Sequence, residues 1–203
     1  MDLKAKLAAQ FKGELDTDKV TLETYSHDAS LFELKPQIVG YPKDAGDLKY
    51  VVKFVNQHKK EHPGLSITPR SRGTDMSGGA IGDSIVLDVS KHMTKLLEVS
   101  SKQATVQPGM MYKDFEVETL KKGSLLPSYP ASRDMASVGG MMSNNSGGEK
   151  SLEYGKTDNF VTELKMILSD GNEYIVKPLA KAELDKKMAQ KDFEGKLYKQ
   201  TYE

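Results

Sequence analysis

The stretch Pro69-Arg70-Ser71-Arg72-Gly73-Thr74-Asp75-Met76-Ser77-Gly78-Gly79-Ala80 decides how this chain reads. Its glycines let backbone N–H groups crowd together with no Cβ in the way. Concave arrays of such donors bind anions, phosphates above all. The stretch follows a strand-like run, Leu65-Ser66-Ile67-Thr68, and leads into another, Ser84-Ile85-Val86-Leu87-Asp88-Val89. The two common phosphate templates, G-x-G-x-x-G and G-x-x-x-x-G-K-[ST], both open a helix. Here Gly73, Gly78, Gly79 and Gly82 lie between two expected strands, so a ligand is expected on a bare loop. Arg70 and Arg72 favour an anion, because Arg donates to phosphate in bidentate fashion. Either could equally pair with Asp75 or Asp83.

A second glycine-rich stretch, Ser137-Val138-Gly139-Gly140-Met141-Met142-Ser143-Asn144-Asn145-Ser146-Gly147-Gly148, is also expected to pass between strands. Ser132, Ser137, Asn144, Asn145 and Ser146 place short hydroxyl and amide groups beside its Gly-Gly pairs, which suits contact with a phosphate, a ribose or a heterocycle edge. A set of turns needing positive φ would explain this stretch alone. Two such stretches in one short chain suggest a ligand with a pyrophosphate.

Working outward, Leu3, Leu7, Phe11 and Leu15 recur every four residues and predict an opening amphipathic helix. Gln37–Tyr41 reads as a strand after Pro36. The clearest helix follows: Asp44 serves as N-cap, Asp47 suits the dipole in the first turn, Leu48, Val51, Val52 and Val55 form one buried face, and Pro63-Gly64 ends it. Strand, helix, strand, loop, strand make a small α/β lobe over residues 1–90. Residues 91–203 read as a second, β-rich lobe with a helical C-terminal segment. Lys95–Val99 and Ala104–Gln107 form a hairpin broken by Pro108-Gly109. Met111, Phe115 and Leu120 mark a short helix stopped by Gly123. Leu164–Leu168 and Tyr174–Val176 form a hairpin around Asp170-Gly171.

Lys plus Arg and Asp plus Glu are 29 each in the 203 residues, so the balance gives no electrostatic reason to expect nucleic acid or an anionic membrane as a partner. No run approaches the roughly 18 apolar residues of a spanning helix, and the start lacks a signal-peptide core. A cytoplasmic location is expected. The absence of cysteine excludes thiolate catalysis and Cys-ligated metals within this segment. His58 and His62 have a spacing that could hold a metal, but only Glu61 joins them, and a His near a helix C-terminus suits the dipole. No metal is expected, and His27 and His92 read as surface residues. Met76, Met110, Met111, Met135, Met141 and Met142 crowd the glycine stretches, where core filling is their commoner use.

The run Pro69–Ala80, then Ile85–Asp88, Val106–Gly109, Gly123–Pro130, Ser137–Gly140, Asn145–Gly148, Tyr154-Gly155-Lys156-Thr157 and Leu168–Gly171 resembles, in order and spacing, the FAD-binding domain of the FAD-linked oxidases. This is the vanillyl-alcohol oxidase and p-cresol methylhydroxylase type, and the resemblance is nearest to its glycolate oxidase and D-lactate dehydrogenase branch. It covers about residues 36–177. It implies an α+β, two-lobed domain, a small α/β lobe followed by a mainly antiparallel β lobe with flanking helices, with FAD between them. Carried over, the pyrophosphate falls to Pro69, Arg70, Ser71, Arg72, Gly73, Thr74 and Asp75, the amides of residues 71–75 holding it. Ser132, Met135, Ala136, Ser137, Gly139 and Gly140 lie along the pyrophosphate, ribityl and ring side, and Asn144, Asn145, Ser146, Gly147 and Gly148 complete that wall.

Three departures qualify the resemblance. The family's Arg-Gly-Gly-Gly-Thr-Ser is here Arg70-Ser71-Arg72-Gly73-Thr74-Asp75, and Asp75 would repel a pyrophosphate unless Arg70 or Arg72 neutralises it. Members with covalently held flavin carry His where Thr74 stands, so FAD is expected to be non-covalent. The later Gly-Ser-Glu-Gly-Thr-Leu-Gly segment and the substrate or cap domain are absent, which suggests part of a longer enzyme or one chain of a split one. The resemblance implies oxidation of a 2-hydroxy acid such as lactate or glycolate, with a small-molecule substrate, an electron acceptor, and a cap domain or partner chain. The alternative is a non-catalytic flavin- or nucleotide-binding module serving a partner. The enolpyruvyl-sugar reductase and the flavin domain of molybdenum hydroxylases share the lobe architecture, but Tyr154–Thr157 with Asn145–Gly148 fits the hydroxy-acid branch better.

Overall fold

The computed structural model describes residues 3–203. Helix α1 (Leu3–Ala8) covers only the start of the opening apolar repeat. The expected longer helix ends at Ala8; beyond it Gly13 packs on the Tyr41 carbonyl and the Lys12 N–H donates to the Asp47 carboxylate at 2.9 Å. The chain then enters strand β1 (Glu14–Asp16). Phe11 and Leu15 still join the same core as Leu7, so their spacing reports burial and not one helix.

Helix α2 (Lys19–Thr24) is capped by Asp18, and strand β2 (Ile38–Tyr41) follows Pro36 as expected. Asp44 caps helix α3 (Ala45–His58), accepting from the Asp47 N–H at 3.1 Å. Asp47 goes beyond its expected dipole role: it is buried, and its carboxylate accepts the N–H groups of Lys12 and Lys43 at 2.9 Å each. Val51, Phe54 and Val55 form the buried face, while Val52 is only half-buried. The helix ends before Pro63-Gly64, at His58, whose Nδ1 lies 2.9 Å from the Phe54 carbonyl.

Strands β3 (Ile67–Arg70) and β4 (Ile85–Asp88) complete a sheet of order β1-β2-β4-β3, with β2 and β3 parallel to β4 and β1 antiparallel to β2. β4 has a neighbour on each side and is buried throughout, which accounts for its unbroken apolar run. β3 is an edge strand and so tolerates Pro69, which lacks a ladder donor. Parallel neighbours need a crossover that travels back along the sheet, usually through a helix. Residues 71–84 do this as a helix-free loop. The first glycine stretch therefore begins at the carboxyl end of the parallel strands, where open α/β sheets bind ligands.

Strands β5 (Leu96–Val99) and β6 (Ala104–Val106) form the first expected hairpin. Helix α4 (Tyr112–Leu120) buries Tyr112, Phe115 and Thr119, whereas Leu120 is exposed. Then come helices α5 (Val138–Ser143) and α6 (Ser151–Tyr154), a 3-10 turn over Thr157–Phe160, the hairpin of β7 (Leu164–Ile167) and β8 (Glu173–Val176), and helices α7 (Lys181–Met188) and α8 (Phe193–Tyr202). Two compact units result, one reaching Val161 and the other spanning Thr162–Glu203. The first holds two apolar clusters. One joins Leu7, Phe11, Val51, Phe54, Val55, Leu65, Ile85 and Leu87; the other joins Met110, Tyr112, Phe115, Tyr129, Ala136, Val138 and Met141. Each large side chain so buried stabilises the fold by about 1.5–3 kcal/mol.

Candidate cofactor site

The loop after β3 is held from beneath. The Arg70 guanidinium turns inward, donating to the carbonyls of His27 at 2.8 Å and Ala80 at 3.2 Å, and stacks 4.9 Å from the centre of the Tyr25 ring. Burial lowers its pKa, and Asp88 and Asp28 oppose that shift. The Tyr25 hydroxyl donates to Asp88 Oδ2 at 2.5 Å, while Asp88 Oδ1 accepts the Ser90 N–H and Oγ–H at 2.6 Å each. Burial and then the Asp88 carboxylate push the Tyr25 phenol far above its usual range. Arg70 is thus a buttress of the loop, and it pairs with neither Asp75 nor Asp83. Gly73 has φ +64°, and a Cβ there would collide with the Arg70 guanidinium, so this turn requires glycine.

That buttress leaves the loop's outer edge rich in donors. Among the described residues, no backbone N–H from Ser71 to Asp75 donates to another part of the chain. Arg72 is exposed, and no described residue pairs with it. An unspent row of amides with one free cation matches the needs of a pyrophosphate.

Asp75 does not stand as a bare charge in this row. Its Oδ2 accepts from the N–H of Gly79 at 2.6 Å and from the N–H and Oγ–H of Ser77 at 3.1 and 2.8 Å; its Oδ1 accepts from Asn144 Nδ2 at 3.0 Å. These donors, the Gly79 amide foremost, hold the carboxyl below the usual carboxylate range. No described arginine pairs with Asp75; its carboxylate stays ionised and is solvated by neutral donors instead.

The second stretch is not a passage between strands. Its first half is α5, N-capped by Ser137, whose Oγ accepts from the Gly140 N–H at 3.2 Å, and residues 144–148 follow as turn and coil. A run free of β-branched residues after Val138, with a serine cap, was the available signal. Gly139 is needed for close approach: a Cβ there would lie 2.5–2.7 Å from Pro108 atoms. Gly140 faces the first loop, its Cβ position 2.8 Å from Ser71 Oγ, so the two glycine stretches do meet. Ala136 and Ser137 are buried, and Ser137 is spent as a cap. Ser132 accepts the N–H groups of Met135 and Ala136 through its carbonyl and keeps a half-buried hydroxyl. Asn145, at φ +44°, accepts the Asp158 N–H through Oδ1 at 2.9 Å; the Ser146 carbonyl accepts from Thr157 Oγ1 at 2.8 Å; and the Gly148 N–H donates to Ser151 Oγ at 2.8 Å. Gly147 beside it is half-buried. Much of this wall is therefore held by internal bonds. Its edge toward the first loop is Gly140 and Asn144.

The methionines divide. Met110 and Met141 fill the second core, while Met76 and Met135 are exposed, 80% and 57%. Close to the first loop, Phe32 lies against Gly78 and is itself exposed, as is Leu31. His92 bonds Glu14 at 2.8 Å. Glu23, His27 and Glu33, not singled out by spacing, bring donor atoms within 4.8 Å of one another; all three are exposed, and Glu23 already pairs with Lys35 at 2.8 Å.

Residues 36–176 match the family model described as "FAD binding domain". A D-2-hydroxyglutarate dehydrogenase of Haemophilus influenzae is 31% identical over 79% of this chain and 16% of its own length. One from Escherichia coli is 28% identical over 95% of this chain and 19% of its own. The glycolate oxidase subunit GlcD of Bacillus subtilis is 31% identical over 73% of this chain and 31% of its own. The chain thus spans less than a third of the length of these relatives. Among solved structures, an alkyldihydroxyacetonephosphate synthase matches with TM-score 0.72 at 21% identity, over 87% of this chain and 34% of that one. The 6-hydroxy-D-nicotine oxidase of Arthrobacter nicotinovorans matches with TM-score 0.71 at 21% identity, over 86% and 38%. These likenesses are of fold, and they place the chain in the α+β class expected from its sequence.

Proposed function

This chain belongs to the FAD binding domain family, and from that premise we propose that it is the cofactor-holding part of a flavin-dependent dehydrogenase of D-2-hydroxy acids. The observation that carries the reading is the row of unspent N–H groups from Ser71 to Asp75 after β3, in a loop whose Ser71 and Asp75 side chains meet Gly140 and Asn144. The amides of residues 71–75 would hold the pyrophosphate, with Arg72 offsetting its charge. Gly139, Gly140 and Asn144 would border the cofactor on the other side, with Ser132 and Met135 farther along that wall. FAD, when bound, supplies the hydride acceptor; the protein's share is to bind and orient it. With Thr74 in the position that carries His in covalent members of the family, the flavin is held non-covalently.

The lobe division at residue 90 belongs to this proposal, supported by separate apolar clusters over residues 7–87 and 110–141. So does a cytoplasmic location; among the described residues no helix is long and apolar enough to cross a membrane. The reading that the chain works only with a cap domain or partner chain is favoured by Leu31, Phe32 and Met76, exposed beside the loop.

Mixing the purified chain with excess FAD, removing free flavin and measuring absorbance tests the proposal. Near-stoichiometric flavin, released into the supernatant on acid precipitation, is expected. No bound flavin overturns the reading, and flavin retained in the pellet overturns the non-covalent part.

A further inference from the structure

Asp75 is the most connected side chain at the site, and its bonds run in two directions. Toward its own loop it gathers the Gly79 N–H, the Ser77 N–H and the Ser77 hydroxyl on Oδ2. Across the site, its Oδ1 takes Asn144 Nδ2, and Asn144 is the residue that closes α5. We propose that Asp75 is a positioning residue, whose carboxylate folds the 75–79 turn back on itself and clasps the loop to the end of α5, so that the amides of Ser71–Asp75 stay presented to the cofactor.

The electrostatics allow it. A carboxylate beside a pyrophosphate is repulsive in isolation, but hydrogen bonds to an ionised acceptor are about twice as strong as neutral ones. Four such donors set their positive ends against the Asp75 carboxylate and so reduce the field it presents. The geometry also needs it. The loop is long and helix-free, and its first residues are fixed from beneath by Arg70 and by the Ala29 N–H, which donates to the Gly73 carbonyl at 3.1 Å. Beyond Gly73 the strongest set of fixings is on Asp75. Without it the segment from Thr74 to Gly79 keeps little to hold it, and its backbone would have to be ordered on binding at an entropic cost.

This inference rests on the FAD reading for its purpose but not for its existence, and two readouts separate them. Arg72 is exposed within the loop and is a tryptic site. In the cofactor-free protein, Asp75→Ala should speed cleavage after Arg72 roughly tenfold, the effect expected for lost bonds to a charged group. Asn144→Ala, at an exposed position that leaves the fold intact, should speed it roughly threefold. The double variant should be cut no faster than Asp75→Ala, because the Asn144 bond is absent in both. FAD titration should show affinity weakened in the same order and with the same non-additivity. Cleavage unchanged in both single variants overturns the clasp. Tighter FAD binding by Asp75→Ala overturns the positioning role. Altered cleavage with no FAD binding by the unaltered chain leaves the clasp standing and overturns the cofactor reading instead.

Discussion

At the scale of single residues, two aspartates show how little of a charge's role is written in its identity. Asp44 and Asp47 both sit at the start of α3. Asp44 is a solvent-facing cap, whereas Asp47 is buried and ties the N–H groups of Lys12 and Lys43 to the helix. Asp47→Ala strips two part-buried donors of their acceptor and should destabilise the chain by about 1–3 kcal/mol, read as a lower urea midpoint. An unchanged midpoint would show that water replaces the carboxylate freely. Spacing alone assigned Asp47 to the helix dipole, because its partner at Lys12 is 35 residues away. Arg70 repeats the lesson. A free arginine in a glycine loop is a phosphate donor by chemistry, yet three backbone carbonyls and a tyrosine ring claim this one.

At the scale of elements, the parallel pair β3 and β4 explains why the first glycine stretch is long and open: the crossover must span the sheet with no helix to carry its amides. The first half of the second stretch is a helix, where Gly139 serves packing. Gly139→Ala would press a methyl into Pro108, and overpacking of this kind costs about 1–3 kcal/mol. Lower thermal stability and weaker FAD binding together are expected, since α5 carries Gly140 and Asn144 into the site. A Gly139→Ala chain that melts and binds like the parent would show that the Pro108 segment yields. The existence of β2, α3, β4 and both hairpins was legible because their apolar periods and turn residues are local. The extent of α1 and the nature of α5 were not, since Phe11 and Leu15 keep the apolar spacing of Leu7 after the helix has ended, and a short, glycine-rich helix offers weak propensity.

At the scale of the whole molecule, the edge proposed to hold the cofactor is accompanied by exposed apolar side chains, Leu31, Phe32 and Met76. Residues 1–203 should therefore bind FAD yet show no dye-coupled turnover of D-2-hydroxyglutarate, D-lactate or glycolate. A polypeptide extended to the length of the relatives should turn over at least one of them. Turnover by residues 1–203 alone would show that no further domain is needed.

By itself the sequence determined the fold class and the family, because motifs of glycine, proline and alternating apolar residues encode local backbone conformations, and their order along the chain is that of the FAD binding domain family. It also directed attention to the amides of residues 71–75, which the structure leaves without an acceptor among the described residues. Only the tertiary structure decided which side chains remain free to meet a ligand. That question is one of competition among hydrogen-bond partners distant in the chain: Arg70, Ser137 and Asn145 are taken by the protein itself, Asp75 is answered by Gly79, Ser77 and Asn144, and Arg72 is left exposed.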